Sequence, residues 1–249
     1  MDDAGLSGWI NPHWELRMSV PFPPVEPPPT EVRFPDPRDA GDEQVLAIGA
    51  DFRAGTLLEA YRHGIFPWPD SRGRVPWCSM DPRAIFPLEE PPHWSRSLRR
   101  TLRITPFTRT IDENFRAVIT ACGDERPDSR WIVPRYLEAF CGLHALGWTH
   151  SVEAWEDTGT QRELVGGIYG VAVGGLFAGE SMFHRRTDAS KIAFAALVDA
   201  LRASGFELFD VQVLSPHLES LGCIEISREE YLDRCEHAVS LPPRKLALP

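Results

Sequence analysis

No apolar run in this chain is long enough to span a membrane as a helix. Its longest stretch without a charge, LVGGIYGVAVGGLFAG at 164–179, falls short of the ~18–20 residues such a helix needs, and its glycines suit turns and close packing. The start, MDDAGLSGWINPHWELR, has no basic region followed by an apolar one, so no secretory signal is expected and a cytoplasmic location is. Cysteine is scarce: Cys78, Cys122, Cys141, Cys223 and Cys235 are odd in number, far apart and never C-x-x-C, which argues against a disulfide framework or a zinc site. The histidines include no H-E-x-x-H pair, so no metal is expected. Neither a Walker A sequence nor a G-x-G-x-x-G after a strand is present, so nucleotide phosphates are not cradled in the usual ways. Positive charge is also short, with 26 Lys and Arg against 36 Asp and Glu and a net charge of -10. That balance excludes nucleic-acid binding by the whole surface and leaves room for a local basic patch.

What is present is unevenly distributed. Sixteen of the 23 prolines lie at or before Pro92, which predicts a turn-rich N-terminal part and a boundary near residue 90. The segment PFPPVEPPPTEVRFPDP (21–37) is expected to be extended or loosely packed. FRAGTLLEAYRHGIF (52–66) has the spacing of a short helix with Leu57, Leu58 and Tyr61 inward and a stop at Gly64. Thr110 and Glu113 form a capping-box pattern that predicts a helix through Ala121, and a second helix is expected over 133–147.

Three strand candidates follow, WTHSVEAWE, ELVGGIYGVAV and LFAGESMF, with a turn at Gly174 and Gly175 between the last two. Ile192, Ala195, Leu197 and Leu201 mark one face of a helix that stops at Gly205, and ELFDVQV returns to the sheet. The expected class is α+β, with a helix packed on a mostly antiparallel sheet. GESMF lacks the second glycine of a nucleophile elbow, since Phe183 stands there. The element order resembles the acetyltransferase fold that uses coenzyme A. The loop before the central helix, HRRTDAS, contains no glycine, however, and close approach of backbone to pyrophosphate favours glycine.

Several motifs occur together in order: LAIGADFRAGTLLEAYRHGIFPW (46–68), SMDPRAIFPLE (79–89), SRSLRRTL (95–102), WIVPRYLEAF (131–140), ELVGGIYGVAVGGLFAGESMF and DVQV. Over roughly residues 34–232 the chain resembles the leucyl/phenylalanyl-tRNA–protein transferases. The resemblance implies transfer of leucine or phenylalanine from aminoacyl-tRNA to the N-terminal Arg or Lys of an acceptor protein; the modest selectivity of an apolar pocket adds methionine as a poorer third substrate. The product would carry an N-degron, and no cofactor is implied. The resemblance also implies an N-terminal domain, placed at 34–90, and an acetyltransferase-like catalytic domain, placed at 91–240; the Pro-rich extension (1–33) and the tail (241–249) lie outside the motif-bearing core.

The site residues follow from the same resemblance. Asp210 and Gln212 match the family's catalytic pair, with Val211 in place of the usual cysteine; two apart on a strand, they are expected to share a face. Asp210→Ala is expected to abolish transfer and leave the fold largely intact. Glu180 on an internal strand needs partners or a polar cavity, either where the cationic acceptor meets the ester or in a salt bridge with Arg185 or Arg186. The side-chain pocket is assigned to Ile168, Phe177, Met182, Phe183 and Phe194, and stacking of the terminal adenosine to Trp68 and Trp131, against the plainer reading of each as core packing. Arg96, Arg99, Arg100, Arg103 and Arg109 stand in a run free of acids, suited either to acceptor-stem phosphates or to a solvated face. A tRNA- or peptide-binding module without catalysis and a coenzyme A-dependent acetyltransferase are the competing classes.

Overall fold

The computed structural model describes residues 19–70, 74–124 and 132–249. In chain order the elements are β1 (Val45–Ile48), α1 (Ala54–Arg62), β2 (Phe66–Pro67), β3 (Pro76–Cys78), β4 (Arg83–Phe86), α2 (Arg96–Ile104), β5 (Thr108–Ile111), α3 (Phe115–Asp124) and α4 (Pro134–Ala145). They continue as β6 (Thr149–Asp157), β7 (Arg162–Val173), β8 (Leu176–His184), α5 (Ala189–Ala203), β9 (Leu208–Gln212), α6 (Pro216–Ser220), β10 (Ile224–Ile226) and α7 (Arg228–Ser240). The fold is α+β. A small sheet, ordered β1-β3-β2, belongs to the N-terminal part, and a larger one runs β10-β4-β9-β8-β7-β6-β5. β4 thus joins the large sheet from within the Pro-rich portion of the sequence.

Alternation along β7 builds a core on each face of the large sheet. Tyr169, Val171 and Val173 enter one cluster with α1, α3 and α4, while Ile168 and Ala172 enter another with the apolar side of α5. The antiparallel pairings of β5 through β8 are local in sequence. β9 arrives after the α5 crossover and pairs parallel to β8, as a crossover connection requires.

The strands expected at β6, β7, β8 and β9 and the helices expected at α1, α4 and α5 all form. The proposed capping box does not. Thr110 lies in β5, where its hydroxyl donates to Glu153, and α3 starts only at Phe115, with the Asn114 side chain accepting from the Ala117 amide. The pattern matched because T-x-x-E also arises by chance at a strand end. α2 and α7 had no apolar stripe prominent enough to be expected. Ser95 caps α2 through the Leu98 amide, and Ser227 caps α7 through the Glu230 amide.

The Pro-rich segment is extended, as expected, and it is docked. Val25 donates its amide to the Leu146 carbonyl and accepts from the Trp148 indole N–H at 2.8 Å, and the Thr30 and Thr56 hydroxyls bond to each other. A Cβ on Gly147 would lie 2.4 Å from the Pro21 carbonyl oxygen, and its φ is +87°, so this contact requires glycine. Among the described residues no helix is long and apolar enough to cross a membrane.

Candidate active site

β8 and β9 stay paired only where Leu176–Ala178 faces Leu208–Asp210. Beyond that point a cavity of about 400 Å³ lies between Glu180 and Met182 on one side and Val211 and Gln212 on the other. Ile168, Phe194 and Leu218 extend its apolar wall, and Phe66 and Trp68, flanking the end of β2, close another side.

Glu180 occupies an irregularity in the sheet. Tyr169 pairs with Ser181 and Gly170 with Gly179, so Glu180 is an extra residue with no partner across β7. Such a bulge re-aims side chains out of strict alternation. Gly170 permits the tight crossing beside it, since a Cβ there would lie 2.3 Å from the Ala178 carbonyl oxygen.

Two tyrosines clamp the carboxylate. Tyr61 on α1 donates to Oε1 at 2.7 Å and Tyr136 on α4 to Oε2 at 2.6 Å, while Gln212 Nε2 stands 3.4 Å from Oε1. Burial pushes Glu180 up to about 7, and the two hydroxyl hydrogen bonds limit the rise. Burial first, and then the nearby carboxylate, hold both tyrosines well above the ordinary phenol range, so they remain donors. The alternative of a salt bridge with the following arginines is not realised: Arg186 pairs with Glu156 and Glu163, and Arg185 lies over the Phe183 ring.

A second bulge lies in β9. Gln212 pairs with Ala84 and Asp210 with Ile85, which leaves Val211 as the extra residue. The expected shared face of Asp210 and Gln212 is therefore lost: Val211 and Gln212 line the cavity, while Asp210 has no exposed surface and is absent from the lining. Asp210 instead receives a two-pronged bond from Arg83, Nε to Oδ1 at 2.9 Å and Nη2 to Oδ2 at 2.7 Å. The Tyr231 hydroxyl donates to Oδ2 at 2.9 Å, and the Gln212 amide to Oδ1 at 2.9 Å. Burial opposes the charge on Arg83, but Asp210 outweighs it and keeps the guanidinium above its ordinary range.

Gln212 has φ of +59°, and the Val213 amide bonds back to the Val211 carbonyl at 2.8 Å, closing a three-residue turn. A side-chain-bearing residue in this left-handed region costs on the order of 1–2 kcal/mol. Backbone strain of this kind gathers at functional sites, held by the surroundings.

Of the residues assigned to the side-chain pocket, Ile168, Met182 and Phe194 line the cavity. Phe177 is core, edge-on to Phe206 and Phe209, and Phe183 belongs to the opposite core cluster. Trp68 forms the rim and is 42% exposed; Trp131 lies outside the described residues. Arg96, Arg99, Arg100 and Arg103 are exposed on α2, which packs by Leu98 into the same cluster as Phe194. Arg109, exposed on β5, borders a separate hollow with Asp199 and Leu248. Sequence reading missed Tyr61 and Tyr136 as polar groups, and Arg83 and Tyr231 altogether; an arginine heading the apolar strand RAIF was the one available signal.

Comparisons with known proteins show the family of the chain. The family model described as leucyl/phenylalanyl-tRNA protein transferase matches residues 85–236, and that of its N-terminal domain matches residues 50–81. A protein of Syntrophobacter fumaroxidans named leucyl/phenylalanyl-tRNA–protein transferase is 48% identical over 81% of this chain and 86% of its own. Proteins of the same name are 43% identical in Alkalilimnicola ehrlichii, over 95% of this chain and 86% of the relative, and in Pseudomonas fluorescens, over 94% and 97%. On the family match and these identities, the chain belongs to the leucyl/phenylalanyl-tRNA–protein transferase family.

Proposed function

We propose that this enzyme moves a leucyl or phenylalanyl group from its tRNA to the α-amino group of a protein beginning with Arg or Lys, on an acetyltransferase-like fold. The observation that carries the reading is one cavity with an apolar wall and a single clamped carboxylate. Ile168, Met182, Phe194 and Leu218 accept the aminoacyl side chain. The selectivity of such a wall is modest, since a methylene is worth about 1–3 kcal/mol. Trp68 on the rim stacks the terminal adenosine, and the arginines of α2 meet acceptor-stem phosphates.

In the reaction the amine nitrogen attacks the ester carbonyl, the carbon–nitrogen bond forms, and the carbon–oxygen bond to the ribose breaks. The acceptor's ammonium must first lose a proton. Gln212 is an amide and has no useful basicity, and Asp210 is fully buried behind the cavity in an ion pair with Arg83. Glu180 is the remaining base, tuned close to an α-amino group of about 7.7–8.0. It takes the proton and returns it to the departing ribose oxygen, while the Gln212 amide donates to the polar centre of the reaction.

Against a coenzyme A donor stands Asp188 at the N-terminus of α5. Its carboxylate, bonded to Lys191 and Thr101, puts negative charge where a pyrophosphate would need positive dipole. The test is transfer of labelled leucine and phenylalanine from their tRNAs to peptides beginning with Arg, Lys, Asp or Ala. Transfer confined to Arg and Lys is expected. Equal transfer to Ala, or saturable coenzyme A binding with no transfer, would overturn the proposal.

A further inference from the structure

Gln212 reaches the cavity only by adopting a strained turn, closed within the lining by the Val213 amide on the Val211 carbonyl. Its amide is tied from behind, to Oδ1 of Asp210. Asp210 in turn is fixed by a guanidinium and a phenol that lie 127 and 21 residues away in sequence. The Arg83 side chain is 1% exposed and packed between two rings, 4.3 Å from the Tyr231 centroid and 4.7 Å from that of Phe66. Its third nitrogen donates to the Gly64 carbonyl at 3.1 Å. Gly64 precedes the segment that carries Phe66 and Trp68 to the cavity.

We infer that Arg83 and Tyr231 are positioning residues that lock the Gln212 turn and the Phe66–Trp68 wall to one buried anchor, Asp210. The inference rests on the transferase reading for its kinetic consequence. A buried ion pair alone is weak evidence of function, because apolar packing often serves stability as well. What distinguishes this one is where its bonds lead. One oxygen of Asp210 receives a strained backbone amide of the site, and one guanidinium nitrogen goes to the chain entering the opposite wall. Arginine is the residue that can do this: its planar fork supplies the bidentate bond and a further donor together, which a lysine ammonium cannot reproduce.

The test uses Tyr231→Phe, which removes one hydroxyl and keeps the ring under Arg83, alongside Arg83→Lys. At saturating charged tRNA and Arg-peptide, Tyr231→Phe is expected to lower kcat about tenfold, the value of one hydrogen bond to a charged group, with both KM values within about twofold. In a Gln212→Ala background the same change is expected to cost about threefold or less, because only the part of the anchor that acts through the Phe66–Trp68 wall remains. Equal losses in the two backgrounds, or an unchanged kcat in Tyr231→Phe, would overturn the inference.

Hydrogen exchange supplies a readout independent of activity. Residues 208–213 should exchange about tenfold faster in Arg83→Lys while β6 and β7 keep wild-type protection. Unchanged exchange there refutes the anchor even if the wild-type protein transfers nothing. Absence of wild-type transfer with accelerated exchange would instead refute the functional reading and leave the anchor standing.

Discussion

Tyr136→Phe isolates what the tyrosine clamp does for Glu180. The substitution removes a hydroxyl 2.6 Å from Oε2 and keeps the ring, which stacks on Phe140 at 4.1 Å and meets Phe52 edge-on. A hydrogen bond to a charged group is worth about 1.5–3 kcal/mol, and about 1.36 kcal/mol corresponds to one pH unit. Without the bond, the acid that burial already holds at about 7 should titrate roughly one to two pH units higher. A base must be ionised to work, so the acid limb of kcat/KM for the peptide should move from about 7 toward ~8–9, and the rate at pH 7 should fall roughly five- to fifty-fold. The assay is single-turnover transfer to an Arg-peptide between pH 5.5 and 9 (a range of about three and a half units around neutrality), with charged tRNA saturating. A limb that belongs to the peptide's own amine cannot respond to Tyr136. If the limb stays in place, Glu180 is not the base and the proton route proposed above is wrong.

Three further outcomes follow from the same geometry. Asp210→Ala should abolish transfer, but it will not spare the fold: it leaves Arg83 buried without its partner, a loss of about 3–5 kcal/mol, and an unchanged urea midpoint would contradict the buried pair. Arg99→Glu with Arg100→Glu should raise KM for charged tRNA with kcat nearly unchanged and flatten the salt dependence by about one log unit per lost phosphate contact; identical salt slopes would remove α2 from the tRNA interface. Glu153 is fully buried among Ser151, Thr110 and the Asn114 amide, and burial pushes it up to about 7. Because its folded value is raised, its stabilising contribution is complete below about 4.5 and disappears as pH rises through about 7. The melting temperature of Glu153→Gln should therefore gain on wild type as pH goes from 5 to 8 (a span that brackets neutrality), and parallel melting curves would refute this.

Much of the architecture could be read from the chain because apolar periodicity and local connections built it. Long β7, its glycine turn into β8, and the apolar α5 each announce themselves within fifteen residues or fewer, and antiparallel neighbours follow at short loop cost. The site was less legible because its partners come from far away. The two hydroxyls on Glu180 arrive from sequence separations of 119 and 44, and in pattern terms a tyrosine facing inward is another core ring. Tyr61 was correctly expected inside, and its hydroxyl turned out to be what matters there.

The failure of Asp210 and Gln212 to share a face has one cause, which also explains how the cavity exists. Strict alternation puts residues 210 and 212 on one face, and a single extra residue reverses that. β8 carries such a residue at Glu180 and β9 carries one at Val211, on adjacent strands and just beyond the last paired position, Ala178 with Asp210. A bulge in one strand bends it away from a regular neighbour. Bulges in both allow the parallel pair to part without leaving a row of buried unpaired amides, because the Gln212 amide turns back to Asp210 and the Val213 amide to Val211. The opened slot then exposes what a regular sheet would have kept apart: the carboxylate of Glu180, the amide of Gln212 and the apolar flank of Phe194. The same irregularities that defeat a period-two reading therefore bring an acid, an amide and an apolar wall into one 400 Å³ space.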